Sequence, residues 1–174
     1  MITILTATPI DAKVLAELGK STFLESHSHS ASKKDIYNYV ALKFSISEFE
    51  RELKKQSNIY YILYYNEKPV GYSKIVFNVS DKNIPLKNVT KLERIYILEA
   101  YQKLKLGLEL FTYNLNTSKK HNQYGMWLYT WIENRKAIAF YKKAGFKIVG
   151  GYDFKISDTH SNPNHQMFLD YKTT

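Results

Sequence analysis

The sequence predicts one α/β domain over residues 1–174, in which helices cover the faces of a mixed β-sheet. The chain has 174 residues, within the usual size range of a single domain. Strand-like runs of β-branched and aromatic residues alternate along it with helical patterns. No linker, internal repeat or low-complexity tract divides the sequence. These observations favour a continuous sheet with a shared hydrophobic core.

The order of the elements follows from their hydrophobic periodicity. The sequence predicts a strand over residues 2–7, helices over 8–19, 34–44 and 47–56, strands over 59–65 and 69–79 joined by a hairpin turn at 66–69, a strand over 90–97, a helix over 104–120, a strand over 124–131, a helix over 134–145, and strands over 146–149, 152–156 and 165–171. Strands and helices are thus interleaved, as a mixed sheet requires.

Local signals set several of the helix boundaries. Thr8-Pro9 supplies an N-cap and a proline at the first helical position. Residues 20–34 are polar and rich in serine and histidine, which predicts a loop or a break. Ser47 and Glu50 have the spacing of a capping box at the start of the third helix. Gly145 is a natural residue to follow the end of the last helix.

The composition excludes several kinds of chemistry. The chain contains no cysteine, so disulfides, a thiol nucleophile and thiolate metal sites are excluded. No apolar run approaches the roughly 20 residues of a membrane span, and the N-terminus lacks the features of a signal peptide. We therefore expect a cytoplasmic protein without a membrane partner. His27 and His29 lie in a serine-rich segment without an acidic cluster, so no metal is expected.

The formal net charge of +9 indicates an anionic partner. Nucleic acid, membrane headgroups and phosphorylated cofactors all meet this description. A nucleic-acid-binding surface would concentrate basic residues on one face with interleaved aromatics. The lysines are instead spread along the chain in short pairs, so nucleic acid is not the expected partner.

Two segments carry the signals for chemistry. In the first, the strand ending in Ile95-Tyr96-Ile97 runs into a turn, residues 102–107, that opens a helix. The first amides of a helix lack internal partners and carry the positive end of its dipole, so they suit a pyrophosphate. Lys103 and Lys105 add charge there. In the second segment, residues 134–146, Phe140 and Tyr141 share one helical face with two alanines.

Together these segments resemble the GNAT superfamily of N-acetyltransferases. That family carries Gln/Arg-x-x-Gly-x-Gly/Ala between its fourth strand and the following helix, here residues 102–107. It also often carries an Asn…Ala…Phe-Tyr…Gly-Phe stretch on its last long helix, here residues 134–146. The resemblance covers nearly the whole chain. It implies a mostly antiparallel sheet of about seven strands, splayed between the fourth and fifth.

The resemblance also implies acetyl-CoA as cofactor and a set of residues that bind it. The backbone of β-strand residues would hold the pantetheine arm, the turn would hold the pyrophosphate, and one asparagine would contact the pantetheine. These cofactor-binding residues are Ile95, Tyr96, Ile97, Gln102, Lys103, Leu104, Lys105, Leu106, Gly107, Asn134 and Tyr141. An amide of the strand would also stabilise the thioester oxyanion.

Two side chains are candidates for proton transfer. Glu93 lies on the fourth strand and would accept the proton of the attacking amine, whose pKa is about 10.4 when it is lysine-like. An ion pair or a solvated surface position is the alternative role for Glu93. Tyr141 would donate a proton to the leaving thiolate as general acid. No covalent enzyme intermediate is needed.

One residue departs from the family pattern. The first glycine of the phosphate turn is Lys105, and only Gly107 matches. Glycine lets the backbone approach the pyrophosphate closely. We expect Lys105 to donate its amide in a helical conformation, with its ammonium group compensating electrostatically. A non-catalytic acyl-CoA-binding module is the alternative that this departure leaves open.

The acceptor is expected to be a primary amine of a small molecule. Segments near Phe23, residues 35–39 and residues 49–53 resemble the bacterial polyamine N-acetyltransferase branch. The residues assigned to the acceptor groove are Phe23, Glu25, Asp35 and Tyr37, with Tyr39 as a further lining residue. Amines of proteins or peptides are the alternative acceptors. A homodimer is also expected from the family.

Overall fold

The computed structural model describes residues 1–172, which form seven strands, five α-helices and two 3₁₀ segments. The strands are β1 Ile2–Thr6, β2 Ile59–Tyr65, β3 Lys68–Val76, β4 Val89–Ile97, β5 Gly125–Trp131, β6 Lys147–Lys155 and β7 Ser161–Asp170. The helices are α1 Ala12–His27, α2 Lys33–Lys43, α3 Ile46–Leu53, α4 Leu106–Lys120 and α5 Arg135–Lys143. The 3₁₀ segments are Pro9–Asp11 and Glu99–Leu104.

The seven strands form one mixed sheet in the order β1-β2-β3-β4-β5-β7-β6. The pairs β1/β2, β2/β3, β5/β7 and β6/β7 are antiparallel, whereas β4 and β5 run parallel. The parallel pairing joins only Val89–Lys91 to Gly125–Trp127, although both strands continue beyond it. The predicted sheet, its flanking helices and its separation between the fourth and fifth strands are confirmed.

The described chain divides into two compact units, each with its own core. The first contains Met1–Ile75 and Arg94–Asn114, and the second contains Val76–Glu93 and the residues from Leu115 onward. Fully buried side chains of the first unit include Leu15, Ile36, Phe49, Tyr60, Leu63 and Tyr72. In the second unit, Ile84, Val89, Trp127 and Phe168 form one hydrophobic cluster.

The hairpin turn between β2 and β3 is confirmed at the predicted position. Asn66 and Glu67 both have positive φ, at 48° and 65°. Two-residue hairpin loops favour this geometry because its twist matches that of the flanking strands. Asparagine tolerates the left-handed region better than most residues, which explains its place in the turn.

The predicted break after residue 19 is wrong, because α1 continues to His27. The polar residues in this stretch satisfy their hydroxyl groups within the helix. Thr22 Oγ1 donates to the Leu18 carbonyl at 2.7 Å, and Ser26 Oγ donates to the Thr22 carbonyl at the same distance. Phe23 is 3% exposed, so this last part of α1 also packs into the core.

Helix α3 begins earlier than predicted, whereas α5 begins where predicted. The N-cap of α3 is Ser45, which accepts a hydrogen bond from the Glu48 amide, so the capping box predicted at Ser47 is displaced by two residues. The start of α5 is as predicted: Asn134 is the N-cap and its Oδ1 accepts from the Ala137 amide at 3.2 Å. Gly145 follows this helix with φ 97°, a conformation that suits glycine.

The C-terminal strands are longer than predicted. The strands predicted over 146–149 and 152–156 are parts of one strand, β6 Lys147–Lys155, which carries a register shift between Ile148 and Gly150. A Cβ atom on Gly150 would lie 2.6 Å from Asn83 Nδ2 and 2.9 Å from Gln166 Oε1. Glycine at this irregularity therefore lets the 80s loop pack closely against the strand. Among residues 1–172, no helix is long and apolar enough to span a membrane.

Candidate active site

The C-terminal half of β4 carries the residues that the sequence assigns to the pantetheine arm. Ile97 is buried, and Ile95 and Tyr96 are half-buried. The β5 pairing of this strand ends at Lys91, so the segment from Leu92 to Ile97 is not paired along that edge. A strand edge without a partner offers backbone groups that an extended ligand can use.

On its other side, β4 approaches Gly71 of β3 closely. A Cβ atom there would lie 2.7 Å from the Tyr96 carbonyl oxygen and 2.3 Å from Ile97 Cδ1. Only glycine fits at this distance without displacing the backbone of β4. Gly71 therefore positions the predicted pantetheine strand, a role that the sequence analysis did not assign.

The predicted phosphate turn differs in conformation from the expectation. A 3₁₀ segment covers Glu99–Leu104, and α4 begins at Leu106. Between them, Lys105 is left-handed, with φ 58° and ψ 14°, so the expected helical conformation at this residue is wrong. Left-handed backbone explains why the family has glycine at this position. In contrast, a Cβ on Gly107 would meet only Ile97 Cγ1, at 3.8 Å.

Two side chains hold the 3₁₀ segment in place. The Glu25 carboxylate accepts a hydrogen bond from the Glu99 amide at 2.8 Å. Gln102 Nε2 donates to the Ile97 carbonyl at 3.3 Å, which ties the segment back to β4. Glu25, predicted to bind the acceptor, is exposed and uses Oε2 to hold the 3₁₀ segment. Lys103 and Leu104 lie in the same segment, and both are exposed.

The predicted acceptor residues separate into two groups. Phe23 belongs to an aromatic cluster: its ring stacks on His27 at 4.7 Å and on Tyr39 at 5.0 Å between centroids. Asp35 and Tyr37 lie at the start of α2. Asp35 accepts a hydrogen bond from Ser32 Oγ at 2.7 Å, as part of the helix cap.

Tyr37 is 52% exposed, and Lys33 Nζ lies 5.9 Å from its ring centroid. This side chain therefore faces solvent, whereas Phe23 is buried. The structure shows no contact between Tyr37 and the aromatic cluster around Phe23 among its described ring pairs.

Arg94 was missed as a candidate although it occupies the centre of β4. Its guanidinium carbon lies 5.3 Å from the ring centroid of Phe44 and 5.7 Å from that of Phe49. Its Nη1 donates to Tyr60 Oη at 3.3 Å. Burial alone would lower the pKa of Arg94, but neighbouring Tyr72, Tyr60 and Glu52 raise it above its usual value. The sequence feature that could have identified Arg94 is its charge within β4, a strand that otherwise carries several apolar residues.

His27 is neutral at physiological pH. Burial lowers its pKa to about 4, and the charge of His29 acts in the same direction. Its ring stacks on Phe23 and meets Tyr96 edge-on, with centroids 6.4 Å apart. Across residues 1–172, no group of three histidine, aspartate or glutamate side chains has a metal-binding arrangement.

The second unit holds the remaining predicted residues. Glu93 is exposed, and its carboxylate lies 3.4 Å from Nζ of Lys91, a residue of the same strand. Tyr141 is 7% exposed and packs against the rings of Phe140 and Phe146, each 5.4 Å away. Asn134 uses its side-chain oxygen to cap α5.

Comparison with known proteins decides the family. A family model described as the acetyltransferase (GNAT) family matches residues 20–146. The chain belongs to this family. The GNAT assignment rests on a match that includes both the turn around Lys105 and the helix that carries Tyr141.

Relatives and solved structures agree with the GNAT assignment. An uncharacterized N-acetyltransferase of Lactobacillus delbrueckii subsp. lactis is 21% identical over 81% of this chain and 82% of its own length. An uncharacterized N-acetyltransferase of Mycobacterium bovis is 24% identical over 87% and 93%. The fold matches that of the PaiA N-acetyltransferase of Thermoplasma acidophilum in complex with coenzyme A, with TM-score 0.78, 19% identity and coverage of 98% and 99%.

Proposed function

We propose that this GNAT protein transfers the acetyl group of acetyl-CoA to a primary amine of a small molecule. The observation that carries the proposal is the order of three structural features before α4. The C-terminal half of β4 extends beyond its pairing with β5, a short 3₁₀ segment follows, and Lys105 then adopts a left-handed conformation. This arrangement suits a long ligand with an extended arm and an anionic end. Coenzyme A has both.

The cofactor proposal assigns each part of the ligand to residues of this chain. The backbone of Ile95, Tyr96 and Ile97 would bind the pantetheine arm in the manner of an added strand. The amides of residues 102–107 would bind the pyrophosphate, and Asn134 would contact the pantetheine. The complex of the Thermoplasma relative with coenzyme A supports this cofactor. The positive net charge of +9 favours an anionic ligand.

The proposed chemistry is direct attack of the amine on the thioester carbonyl. The new C–N bond forms as the C–S bond breaks, and the thiolate takes up a proton. Tyr141 would supply that proton, and Glu93 would accept the proton lost by the amine, directly or through water. Glu93 lies on β4 next to the strand segment proposed to hold the pantetheine arm, 3.4 Å from Lys91 Nζ.

The finer proposal of a polyamine acceptor receives limited support. A polyamine needs negative charge in its pocket, and Glu25, Asp35 and Glu93 are the acids assigned to it. Glu25 caps the turn, Asp35 caps α2, and Glu93 pairs with Lys91. Because each of these acids already has a partner, we propose polyamines only as one group of primary amines in the acceptor panel.

Cytoplasmic location and homodimer formation stay predictions. A chain without cysteine suits a reducing compartment, where acetyl-CoA is available. Acetylation of protein or peptide amines is the second acceptor class that the family allows, and the assay below separates it from small molecules.

A thiol-release assay with acetyl-CoA tests the proposal. The acceptor panel contains spermidine, spermine, amino acids, aminoglycosides and a lysine-rich peptide. Release of free CoA with a small amine, and formation of the N-acetyl product by mass spectrometry, would support the proposed activity. Turnover of the peptide alone would change the acceptor class. Binding of CoA without turnover would favour the non-catalytic module, and no CoA binding would overturn the proposal.

A further inference from the structure

The guanidinium group of Arg94 has more hydrogen-bond donors than partners. Arginine presents five N–H donors in a planar fork. Within residues 1–172, the hydrogen bond that this group makes is the one to Tyr60 Oη, at 3.3 Å. The phenyl rings of Phe44 and Phe49 lie within 6 Å of the guanidinium but accept no conventional hydrogen bond. Most of its donors are thus available to a ligand.

The carboxylate that interacts electrostatically with Arg94 is also bound by other groups. Glu52 is this carboxylate, and its oxygens are already engaged. Glu52 Oε2 accepts hydrogen bonds from Tyr60 Oη and from Lys74 Nζ, the latter at 2.9 Å, and Oε1 lies 3.9 Å from Arg51. Glu52 therefore holds Tyr60 and Lys74 directly, whereas Arg94 makes no hydrogen bond to it among the described residues. The guanidinium group can thus accept a separate anion.

A second unsatisfied donor lies beside Arg94. The hydroxyl group of Tyr72 is buried and makes no hydrogen bond of normal geometry among the described residues; its polar neighbour is Thr22, whose hydroxyl donates to the Leu18 carbonyl. Arg94 and Tyr72 pack against the same ring: the guanidinium carbon lies 5.7 Å from the centroid of Phe49, and the ring of Tyr72 lies 6.3 Å from it. A buried hydroxyl without a partner is uncommon and calls for an explanation. A ligand oxygen at this position would supply it.

Arg94 and Tyr72 are surrounded by aromatic side chains, some fully buried and some partly accessible to solvent. Phe49 and Tyr72 are fully buried and meet edge to face, with centroids 6.3 Å apart. Tyr96 packs against Tyr72 at 5.8 Å and is half-buried, as are Arg94 and His27. Aromatic walls with a few convergent polar groups are typical of small-molecule sites. Electrostatic interactions strengthen in such surroundings because water is partly excluded.

We propose that Arg94 and Tyr72 bind a carboxylate of the acceptor, so that the preferred substrate is an amine that also carries a carboxylate, as amino acids do. This inference rests on the proposed acetyltransferase function and names the substrate class of the same site. The planar fork of Arg94 matches the two oxygens of a carboxylate, and Tyr72 donates to one of them. A polyamine, which is cationic throughout, is repelled by this charge.

The position of Arg94 in the sequence supports a role in acceptor binding. It directly precedes Ile95-Tyr96-Ile97, the segment proposed to hold the pantetheine arm. An acceptor anchored through its carboxylate at Arg94 is restricted in orientation, which is how a binding contact contributes to transfer. A purely structural arginine would instead be expected to pair with Glu52, yet that carboxylate is bound by Lys74.

Matched pairs of acceptors test the inference on the unaltered protein. L-Ornithine and putrescine differ by one carboxylate, as do L-lysine and cadaverine. We expect kcat/KM to be about 10- to 100-fold higher for the amino acid of each pair, the range expected for hydrogen bonds to a charged group. Binding of all four compounds to the CoA-loaded protein is measured by calorimetry, as a readout that does not require turnover.

Two substitutions then locate the effect. Tyr72→Phe removes a hydroxyl that makes no hydrogen bond of normal geometry, so the fold should be little weakened, whereas the ornithine-to-putrescine ratio should fall several-fold. Arg94→Lys keeps the positive charge but loses the planar guanidinium group. It should lower the ornithine-to-putrescine ratio of kcat/KM by about tenfold. The thermal unfolding midpoint of each variant separates loss of binding from loss of structure.

The outcomes distinguish this inference from the proposed function. Equal turnover of both members of each pair, or a preference for putrescine, overturns carboxylate recognition while the acetyltransferase activity stands. Binding of ornithine that weakens in Tyr72→Phe, without turnover of any amine, supports the carboxylate site and contradicts the activity. Absence of ornithine and lysine binding to the wild-type protein overturns the inference.

Discussion

The Glu25 carboxylate accepts a hydrogen bond from the Glu99 amide at 2.8 Å, although 74 residues separate the two in sequence. Helix α1 thereby fixes the start of the 3₁₀ segment that leads into the phosphate turn. A backbone amide at the beginning of such a segment has no internal acceptor, and a carboxylate satisfies it well. The hydrogen bond connects α1 to the segment proposed to bind the cofactor.

Replacing Glu25 by alanine should therefore affect the turn more than the core. We expect Glu25→Ala to reduce the free energy of unfolding by about 1 kcal/mol, since it leaves the Glu99 amide without its acceptor. The KM for acetyl-CoA should rise several-fold because the turn is less well positioned. Urea denaturation and steady-state kinetics measure the two effects. Glu17→Ala, an exposed carboxylate two turns earlier in α1, is the matched control.

Lys105 gives a prediction that separates backbone strain from side-chain charge. A left-handed conformation costs an L-residue about 1–2 kcal/mol, and glycine avoids this cost. Part of the gain is lost because glycine makes the unfolded chain more flexible. We expect Lys105→Gly to stabilise the protein by about 0.5–1 kcal/mol, and Lys105→Ala to leave stability close to that of the wild type.

CoA affinity of the same two variants reports on the charge. If the Lys105 ammonium attracts the pyrophosphate, both variants should bind CoA more weakly at low ionic strength. The difference from wild type should then shrink in high salt because charges are screened. Calorimetric titrations at two salt concentrations measure this. A glycine variant that is less stable than the alanine variant would contradict the strain argument.

The low pKa of His27 predicts that the folded protein loses stability in mild acid. Its pKa is about 4 in the folded protein, lowered from 6.5 chiefly by burial. Between these values the unfolded chain binds the proton more readily, so stability falls as pH decreases through this window. We expect a loss of about 2 kcal/mol from pH 7 to pH 5 that is attributable to this group.

The measurement is the free energy of unfolding in urea as a function of pH. His27→Gln should flatten the profile between pH 7 and pH 5, whereas His121→Gln, at an exposed position, should leave its slope unchanged. A profile of His27→Gln with the wild-type slope would show that His27 is not the group responsible.

Tyr141 is the proposed general acid, and its hydroxyl is the group to remove. We expect Tyr141→Phe to lower kcat by about 100-fold or more, the usual range for general acid catalysis, with little change in the KM for acetyl-CoA. Tyr124→Phe is the control, since Tyr124 is 49% exposed and has no proposed role. Unchanged turnover in Tyr141→Phe would remove the acid assignment while leaving the family assignment intact.

Much of the fold could be predicted because local signals and the sheet agree. Asn66-Glu67 marks the hairpin, Asn134 caps α5, and Gly145 ends it. The prediction failed where polar residues satisfy themselves inside a helix. Thr22 and Ser26 suggested a loop by composition, but their hydroxyls donate to backbone carbonyls one turn earlier, and α1 continues.

The candidate site shows the same contrast between sequence patterns and three-dimensional contacts. The motif around Lys105 could be found from sequence, but not the left-handed backbone at that residue. Arg94 was adjacent to Glu93 in a recognised segment, and its importance appears only through residues far away in sequence, Phe44, Phe49 and Tyr72. The number of hydrogen bonds that a side chain makes is a property of the folded chain.

The register shift in β6 has a consequence for association. This strand ends the sheet, so one of its edges has no neighbouring strand among the described residues. The shift between Ile148 and Gly150 interrupts the row of backbone groups, and Lys147, Asp153 and Lys155 add charge along it. Such interruptions and charges hinder edge-to-edge growth of sheets between molecules. The edge is thus protected against aggregation, and replacing these charges by apolar residues should make the protein precipitate at lower concentration.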